Sequence, residues 1–359
     1  MKQLDFTIVT PSFKQLDYLG CCIASVADQG AENGGRRAED GGQEESEKVG
    51  RCESGKGALL RSVSAGSQSY AGLAGQLSVE HIVQDAGSPG IEEFAERTVE
   101  RLLRKYGGER ATSLEAFELL HLRTPHGYSL RIFKEKDSGM YDAVNKGLKK
   151  GTGKICAYLN CDEQYLLGTL RLLENIFQTQ MKTEVVFGGV VIVNPQGKLI
   201  ARREACHLSN PHVMTCHLPN FTAAMFFRRE LLEKRSAWFD VAYRDLADAV
   251  WVLARLQEGT QIDRVSAMTT AFTDTGANMN LSPNARREAR ELREAAPRWM
   301  KVLKPWWKLV HRARKLLEGQ YWPRTMEYAM YLGGAGGERT EFKAKRASPL
   351  WWDRLYMKK

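Results

Sequence analysis

Two adjacent acids, Asp162 and Glu163, follow the short apolar run ICAYLN at residues 155–160, with only Cys161 between them and the run. The run is typical of a buried strand, which places the acids at the carboxyl end of that strand, where open parallel sheets bind their ligands. Two carboxylates in that place suit a hard divalent cation that also takes oxygen atoms from a diphosphate. The same pair could simply begin a turn before Gln164, and the spacing alone leaves both interpretations open.

The segment before these acids, MYDAVNKGLKK at residues 140–150, has helical periodicity. Spacing of three and four residues predicts that Tyr141, Val144 and Leu148 face the core. We expect Lys146 to offset phosphate charge near the acids. The polar face is predicted to carry Asp142, Asn145, Lys146 and Lys149.

Short apolar strands alternate with helices over the first 280 residues, which predicts an α/β fold with a mostly parallel sheet flanked by helices. Residues 221–227 are expected to form a strand or a buried edge, and 184–194 is a further apolar segment. The expected strands are 6–10, 79–85, 131–134, 155–159 and 264–272. The expected helices are 15–29, 91–106, 140–150, 167–178 and 245–257.

Residues 30–78 interrupt this alternation. They include 11 glycines and 13 charged residues of mixed sign, but only one aromatic residue, Tyr70. Because the segment has so few large apolar groups, burying them cannot offset the entropy lost on ordering the chain. We therefore predict a disordered insertion. A regulatory or partner-binding loop is the alternative interpretation.

The composition predicts a globular protein with a substantial core, since 43% of the residues are hydrophobic. None of the seven cysteines forms a CxxC pair, so we expect reduced, mostly buried thiols and a cytoplasmic location. The first residues, MKQLDFTIVTPSF, lack the apolar core of a signal peptide. No apolar run approaches the roughly 20 residues that a membrane-spanning helix needs.

The positive charge is concentrated at the carboxyl end of the chain. The protein has a formal net charge of +9, but Arg286–Lys359 alone has 19 Lys and Arg against 8 Asp and Glu. Six of the eight tryptophans also lie there. We predict a basic, Trp-rich helical extension over residues 281–359, divided or kinked at Pro305. It is expected either to lie on an anionic membrane surface or to pack on the first domain with a solvated basic face.

The segment from Asp137 to Tyr165 and several shorter motifs resemble family 2 glycosyltransferases, which have a nucleotide-sugar-binding GT-A fold. The departures within the segment are Thr152, where that family usually has Ala, and Glu163, where it usually has Asp. The matching positions are Asp137, Gly139, Asp142, Ala143, Asn145, Gly147, Gly153, Leu159, Asn160 and Asp162.

The shorter motifs occur in the family's order over roughly residues 5 to 275. Thr10-Pro11-Ser12-Phe13 resembles the first-strand motif that holds the nucleobase, and Asp85-Ala86-Gly87-Ser88 resembles the turn whose Asp holds the base or ribose. Asp248 stands where the family has its general base, although a solvent-facing helix acid is the plainer interpretation of the same position. The later motifs also include His217, Phe226-Phe227-Arg228-Arg229, Phe239-Asp240 and Tyr243.

The resemblance implies a GT-A Rossmann-like domain over residues 1–280 that moves a sugar, with inversion, from a nucleoside-diphosphate sugar to a saccharide or lipid-linked acceptor. It implies Mn²⁺ or Mg²⁺ bound by Asp162 and Glu163, Asp248 as catalytic base, and His217 as a candidate for the acceptor site. Polysaccharide or glycoconjugate biosynthesis is the expected role, peripheral to the inner face of a membrane. The implied donor-binding residues are Thr10, Pro11, Ser12, Asp85, Asp142, Asn145, Lys146, Asn160 and Asp162.

Two other functions remain as alternatives. A domain that binds the nucleotide sugar without catalysis would accommodate Glu163 and the residues after Asp248, Ala249-Val250-Trp251, which lack the further acid that the family usually has there. A nucleic-acid-binding protein would use the basic extension, but the chain has no recognised nucleic-acid motif, so no nucleic-acid partner is expected.

Overall fold

The computed structural model describes residues 6–33, 76–276, 282–333 and 337–350. In this part of the chain, eleven strands form one mixed sheet, in the order β3-β4-β5-β2-β1-β6-β10-β8-β11-β7 with β9 paired to β8. The strands are β1 (Phe6–Ser12), β2 (Val79–Asp85), β3 (Glu109–Arg110), β4 (Glu118–Arg123), β5 (Tyr128–Lys134), β6 (Ile155–Tyr158), β7 (Glu163–Tyr165), β8 (Val185–Val193), β9 (Leu199–Arg203), β10 (Met225–Arg228) and β11 (Ile262–Thr273).

Helices cover both faces of the sheet. Short 3₁₀ helices follow the first helix at Asp28–Asn33 and precede β10 at Thr222–Ala224. The α-helices of the described residues are α1 (Leu16–Ala27), α2 (Ile91–Tyr106), α3 (Met140–Lys150), α4 (Thr169–Thr179), α5 (Asn210–Thr215), α6 (Glu230–Arg235), α7 (Ala247–Gln257), α8 (Pro283–Glu294), α9 (Arg298–Val302) and α10 (Lys304–Leu317).

The centre of the sheet is parallel. Strand β1 pairs in parallel with β2 and β6, and β2 pairs in parallel with β5. Strand β10 then runs antiparallel to both β6 and β8, while β8 and β11 are again parallel. The predicted α/β class and the parallel centre are confirmed, and the antiparallel pairs on both sides make the whole sheet mixed.

Alternating side chains of the central strands enter two separate cores. In β1, Phe6 and Ile8 pack with α1 and α2, whereas Val9 packs with α3 on the other face. In β6, Ile155 and Ala157 likewise lie opposite Tyr158. This period of two explains why a strand buried on both faces appears in the sequence as a continuous apolar run.

The carboxyl-terminal extension is helical only in its first part, so the prediction of an all-helical extension was wrong. An antiparallel hairpin, β12 (Arg324–Met330) and β13 (Thr340–Ala347), follows α10. Both segments alternate polar and larger apolar side chains, the pattern of a half-buried strand. Tyr328 and Met330 are buried against β8 and β11. The predicted division at Pro305 is confirmed, since this proline lies in the first turn of α10.

The predicted domain boundary near residue 280 stays a prediction, although the two parts are closely packed. Ala296 and Met300 lie in the same buried cluster as Trp251 of α7. Most of the predicted insertion, residues 34–75, lies outside the described residues. Its two ends are ordered, contrary to the prediction, because Leu77 is buried and Gly30 packs against His126.

The described cysteines agree with the prediction of reduced thiols. They are free, and all are buried except the half-buried Cys216. Among the described residues, no helix combines the length and the apolar composition that crossing a membrane requires.

Candidate active site

A cavity of about 990 Å³ opens beyond the carboxyl ends of β1 and β6. Its walls come from distant parts of the chain, including α3, the loop after α5, and α7 and α8. Parallel sheets bind ligands at this edge because the loops that follow adjacent strands converge there. The residues implied by the resemblance that line the cavity are Pro11, Ser12, Asn160, Asp162, Glu163, His217 and Asp248.

The acid pair lies in the turn between β6 and β7. Glu163 accepts hydrogen bonds from the backbone N–H of Asn160 at 2.7 Å and from its Nδ2 at 3.2 Å. Glu163 also begins β7, where it pairs with Phe272 of β11. The predicted turn is therefore present and both acids also line the cavity, while the metal site stays a prediction.

Neither acid forms an ion pair with a lysine or arginine of the described residues. Burial raises the pKa of Asp162, and the charge of Asp274 adds to the rise. Burial also raises the pKa of Glu163, with a further contribution from Asp162. A carboxylate pair in this state gains free energy from a cation placed beside it.

The donor set at this position fits part of a hard cation's coordination shell. Asn160 Oδ1 is buried without a hydrogen-bond partner among the described residues, close to Asp162 in the same turn. Carboxylate and amide oxygens are ligands that Mg²⁺ and Mn²⁺ prefer. Among the described residues no group of three or more His, Cys, Asp or Glu side chains could hold a metal, so further oxygens would have to come from a diphosphate or water.

Asp248 lies in the first turn of α7 and faces the cavity. Its Oδ2 accepts a hydrogen bond from Thr222 Oγ1 at 3.1 Å, and its Oδ1 accepts one from the N–H of Ala249 at 2.7 Å. Burial raises the pKa of Asp248, while these hydrogen bonds and one from Tyr141 oppose the rise. A carboxylate that is more basic than usual and held by fixed donors is suited to accept a proton.

Helix α8 closes one side of the cavity, which the sequence did not indicate. Glu288 is buried and accepts hydrogen bonds from the backbone N–H groups of Arg244, Asp245 and Leu246. Asp245 in turn accepts hydrogen bonds from Ser282 and Asn284. The start of α8 is thereby bound to the start of the helix that carries Asp248.

Four cationic side chains of the cavity wall were also missed. Arg203 is the most buried of them, and its Nε has no hydrogen-bond partner among the described residues. Burial lowers the pKa of this guanidinium. No sequence motif marks any of the four. Arg203 lies in β9, where no strand was predicted. The four are Lys136, Arg203, Arg286 and Arg293.

Two residues implied as nucleotide contacts lie behind the cavity wall. Thr10 is fully buried and shares hydrogen bonds with His81 Nε2, at 2.8 Å, and with the thiol of Cys22. The Asp85 carboxylate accepts hydrogen bonds from Ser12 Oγ, from the N–H of Gly87, and from both the N–H and Oγ of Ser88. Asp85 therefore joins the loop after β2 to the end of β1, where Ser12 does line the cavity.

Helix α3 places three of the implied residues, Asp142, Asn145 and Lys146, outside the cavity lining. Asn145 is buried, contrary to its predicted place on a polar face, because its side chain bonds both the N–H and the C=O of Phe239. Lys146 forms ion pairs with Glu135 and Asp142, so its charge is already matched. The core positions of the helix, including Tyr141, are buried as predicted.

His217 belongs to a cluster of three histidines beside the cavity. Its ring centroid lies 5.1 Å from that of His212 in α5 and 6.3 Å from that of His311 in α10. Burial, together with the neighbouring His212 and nearby cations, lowers the pKa of His217 to about 4. The cluster therefore joins the extension to the cavity wall with neutral imidazoles. His81, by contrast, is buried in β2, where its ring forms hydrogen bonds with Thr10 and Tyr128.

Sequence comparison relates part of the chain to glycosyltransferases. No family model matches it. Proteins named PGL/p-HBAD biosynthesis glycosyltransferase, from Mycobacterium bovis and Mycobacterium tuberculosis, are 25% identical to it over 145 residues. The match covers 37% of this chain and 50% of each relative, so the chain spans about half the length of the curated relatives it matches. The chain is thus glycosyltransferase-like over that stretch.

Solved structures of glycosyltransferases show a more distant likeness. S. aureus TarS 1–349 in complex with UDP-GlcNAc is 11% identical with a TM-score of 0.47, covering 80% of this chain and 64% of that one. The mannosyltransferase PcManGT from Pyrobaculum calidifontis, in complex with GDP-Man and Mn²⁺, is 14% identical with a TM-score of 0.41, covering 81% and 61%. Both TM-scores lie below 0.5, so neither likeness establishes a shared fold.

Proposed function

We propose that this protein is an inverting, family 2-type GT-A glycosyltransferase of polysaccharide or glycoconjugate biosynthesis. It would move a hexose from a nucleoside-diphosphate sugar to an acceptor hydroxyl. The observation that carries the proposal is that the adjacent acids Asp162 and Glu163 line one cavity at the carboxyl edge of the sheet together with Asp248, which is distant from them in sequence.

The donor is proposed to bind on the side of the cavity formed by β1 and the turn after β6. Pro11 and Ser12 line that side, and Asp85 keeps Ser12 in place through a 2.8 Å hydrogen bond. Lys136 supplies a cation on the cavity wall for the diphosphate, the role that the sequence had suggested for Lys146. Thr10 and Asn145 support this wall from behind.

A divalent cation fits the oxygens of Asp162 and Asn160, and when bound it would neutralise charge that develops on the departing diphosphate. Glu163 holds Asn160 by two hydrogen bonds and so fixes the turn that presents these oxygens. In this arrangement Glu163 supports the site through Asn160 and adds negative charge beside Asp162.

Asp248 is proposed to remove the proton from the acceptor hydroxyl as that oxygen attacks the anomeric carbon. Thr222 and the N–H of Ala249 fix the direction of its carboxylate. Since attack comes from the side opposite the leaving diphosphate, the configuration at the anomeric carbon inverts, and no enzyme nucleophile is needed. Arg203 and His217 line the acceptor side.

The acceptor is proposed to be a saccharide, free or linked to a lipid, and the enzyme to work at the cytoplasmic face of a membrane. A panel of UDP-, GDP- and dTDP-sugars, offered with lipid-linked and free acceptors in the presence and absence of Mn²⁺, tests the proposal by mass spectrometry of the product. We expect metal-dependent transfer or donor hydrolysis with at least one sugar nucleotide. Folded protein that neither binds nor turns over any of them contradicts the proposal.

A second candidate function is donor binding without catalysis. The observation that favours it is that both Glu163 oxygens already accept hydrogen bonds from Asn160. Calorimetry with the same donor panel separates the two functions, since a donor that binds with micromolar affinity but is never consumed with any acceptor indicates a binding protein.

A further inference from the structure

Helix α10 exposes its apolar side chains to solvent. Trp306, Leu309, Leu316 and Leu317 recur at helical spacing and lie on one side of the helix. Trp306 is 54% exposed, Leu309 57% and Leu317 86%. A helix that packs on a globular protein normally turns such a stripe inward. Here the stripe has no partner among the described residues.

The opposite side of α10 is the one that packs on the protein, and it carries polar groups. His311 stacks on His212 of α5 with ring centroids 4.3 Å apart. Lys315 is buried, with its Nζ 5.5 Å from the ring centroid of Tyr321. The inward face is thus fixed by specific contacts. A simple rotation of the helix that buried the leucines would expose His311 and Lys315 and break these contacts.

Exposed apolar side chains also occur in α9, and its Trp299 lies beside Trp307 of α10 with ring centroids 6.1 Å apart. Trp299 and Val302 are exposed at the start of this surface, and Pro305 lies between the helices. We define the apolar face as Trp299, Val302, Trp306, Leu309, Leu316 and Leu317. Isolated exposed leucines are ordinary, but a contiguous patch that includes two tryptophans marks an interaction surface.

Positive charge borders the apolar face. Residues 298–317 include seven Lys and Arg but no Asp or Glu. By helical spacing Lys308 and Arg312 lie along one edge of the stripe and Arg314 along the other. Lys308 and Arg312 are exposed, and no described carboxylate forms an ion pair with them. The surface is therefore apolar at its centre and cationic at its edges.

We propose that the apolar face of α9 and α10 is the surface by which this protein docks on an anionic lipid bilayer. The helices would lie in the plane of the interface, with the tryptophans and leucines among the acyl chains and the cations at the level of the phosphates. This distribution of apolar and basic residues is the one that interfacial helices use, and tryptophan favours that depth. Each cation near an anionic surface adds to the affinity.

Two other occupants fit this surface less well than a bilayer. A second copy of the chain would bring the exposed cations of this surface, including Lys308 and Arg312, against the same cations of its partner, and like charges at an interface oppose association. Nucleic acid would pair with the cations but would leave Val302, Leu309, Leu316 and Leu317 without an apolar partner. A bilayer with anionic headgroups satisfies both parts of the surface.

Docking of this kind would deepen the proposed function, on which this step rests. Arg293 and Leu292 of α8 line the acceptor side of the cavity, and α9 begins only four residues after α8 ends. The apolar face thus adjoins the cavity wall, so docking would bring that wall close to a lipid-linked acceptor. The docking surface itself does not depend on sugar transfer, so the two proposals fail separately.

Flotation of the full-length chain with lipid vesicles tests the inference. One set of vesicles is phosphatidylcholine alone, and the other mixes phosphatidylcholine with phosphatidylglycerol. We expect binding to the mixed vesicles at least about tenfold tighter than to the neutral ones. The preference should weaken between about 0.1 M and about 1 M salt, as the Debye length falls from about 10 Å to about 3 Å.

A matched pair of variants tests the residues. Lys308→Glu with Leu309→Ser alters the face, whereas Lys182→Glu with Met181→Ser makes the same kind of change at an exposed site on another part of the surface, where Met181 is 73% exposed. We expect the first variant to lose at least about tenfold in affinity for the mixed vesicles, and the second to bind like the unaltered chain. Both change only exposed side chains, and circular dichroism checks that they fold.

Three results would overturn the inference. The first is equal vesicle binding by the two variants, and the second is the absence of any binding to mixed vesicles at low salt. The third is oligonucleotide binding that Leu309→Ser leaves unchanged, together with no vesicle binding, which would make the surface a nucleic-acid site. Transfer to a soluble acceptor should be equal in the two variants, so loss of docking with intact transfer leaves the proposed function standing.

Discussion

Glu288 of α8 accepts a hydrogen bond at 3.0 Å from the backbone N–H of Leu246, the residue that precedes α7. The same carboxylate accepts the N–H groups of Arg244 and Asp245. The first N–H groups of a helix have no partner within it, and a carboxylate placed there also interacts favourably with the helix dipole. Glu288 therefore caps α7 from another helix, two residues from Asp248, and acts as a positioning residue for the proposed base.

Replacing Glu288 should reduce both stability and turnover. Glu288→Ala leaves three backbone N–H groups without their acceptor, so we expect the free energy of unfolding to fall by about 2 kcal/mol. Urea denaturation measures this loss. The kcat for sugar transfer should fall more than the KM for the donor rises, because the base is displaced while the donor side is unchanged.

The matched control is Glu291→Ala, on the exposed side of the same helix. Glu291 pairs only with Arg287, which is also exposed, so its loss should change the free energy of unfolding by less than about 1 kcal/mol. Equal effects of the two substitutions would show that Glu288 has no special role in holding α7.

The second prediction concerns the packing around Gly153. A Cβ at Gly153 would lie 2.4 Å from the backbone carbon of Phe6, and backbone atoms cannot move aside as a flexible side chain can. We expect Gly153→Ala to destabilise the protein by about 3 kcal/mol, as overpacking of a core does. Gly337→Ala, where nothing lies within 4 Å, should be nearly neutral. Thermal unfolding of both variants is the measurement, and a neutral Gly153→Ala would contradict the close approach.

Gly153 also shows what the motif encodes. Its N–H donates to Thr7 Oγ1, and its C=O accepts from Arg229 Nε, so this motif position lies in the packing between β1 and the turn before β6. Gly147 likewise approaches Val9 of β1 closely. Part of the resemblance therefore reflects how the helix and strand fit together. The segment that the motif marks does contribute Asp137, Gly139, Asn160 and Asp162 to the cavity wall, although Gly147 and Gly153 do not line it.

The sequence predicted local elements well because their signals are local. The bounds of α2 and α3 agree with the helical periodicity, and those of β2 agree with its apolar run. Strand β7 has only three residues and depends on pairing with β11, which lies about a hundred residues later. The partner of Asn145, Phe239, is similarly distant, so spacing alone assigned this side chain to a polar face. Glu288 and Arg203 carried no motif signal at all.

The third prediction concerns the catalytic role proposed for Asp248. Asp248→Asn keeps the size of the side chain but removes the ability to accept a proton. We expect kcat to fall by about 10²- to 10⁴-fold, the usual contribution of a general base, with donor binding retained. Steady-state kinetics and donor calorimetry measure the two parts separately.

Asp240→Asn is the control for that experiment. Asp240 belongs to the same resemblance, but it is exposed and accepts a hydrogen bond from the N–H of Ala242 outside the cavity. The kcat of the Asp240→Asn variant should stay within about twofold of the kcat of the unaltered enzyme, since surface substitutions of this kind have small effects. Similar losses in the two variants would remove Asp248 from the role of base.

The fourth prediction concerns the effect of the histidine cluster on the stability of the protein at acid pH. Burial lowers the pKa of His311 to about 3 and that of His217 to about 4, and the charges of Lys308, Arg312 and Lys315 act in the same direction. Because the folded-state pKa lies below the unfolded value of about 6.5, the unfolded chain binds more protons between these values, and stability falls as the pH drops below about 6.5. The stabilising contribution of the neutral rings is fully present above that pH. Helix α10 should therefore open first in acid.

His311→Gln should reduce this acid sensitivity, because glutamine keeps a polar side chain of similar reach but does not titrate. At about pH 5 we expect the variant to lose about 1 kcal/mol less stability than the unaltered chain, a figure that allows for the partial exposure of the ring. Hydrogen exchange of residues 304–317, followed from neutral to acid pH, reports the opening of α10 directly. His121→Gln is the control, since His121 lies beside Glu118 at the opposite end of the sheet and should leave exchange in α10 unchanged. An acid response of α10 that is the same in both variants would mean that the opening depends on groups other than the histidine cluster.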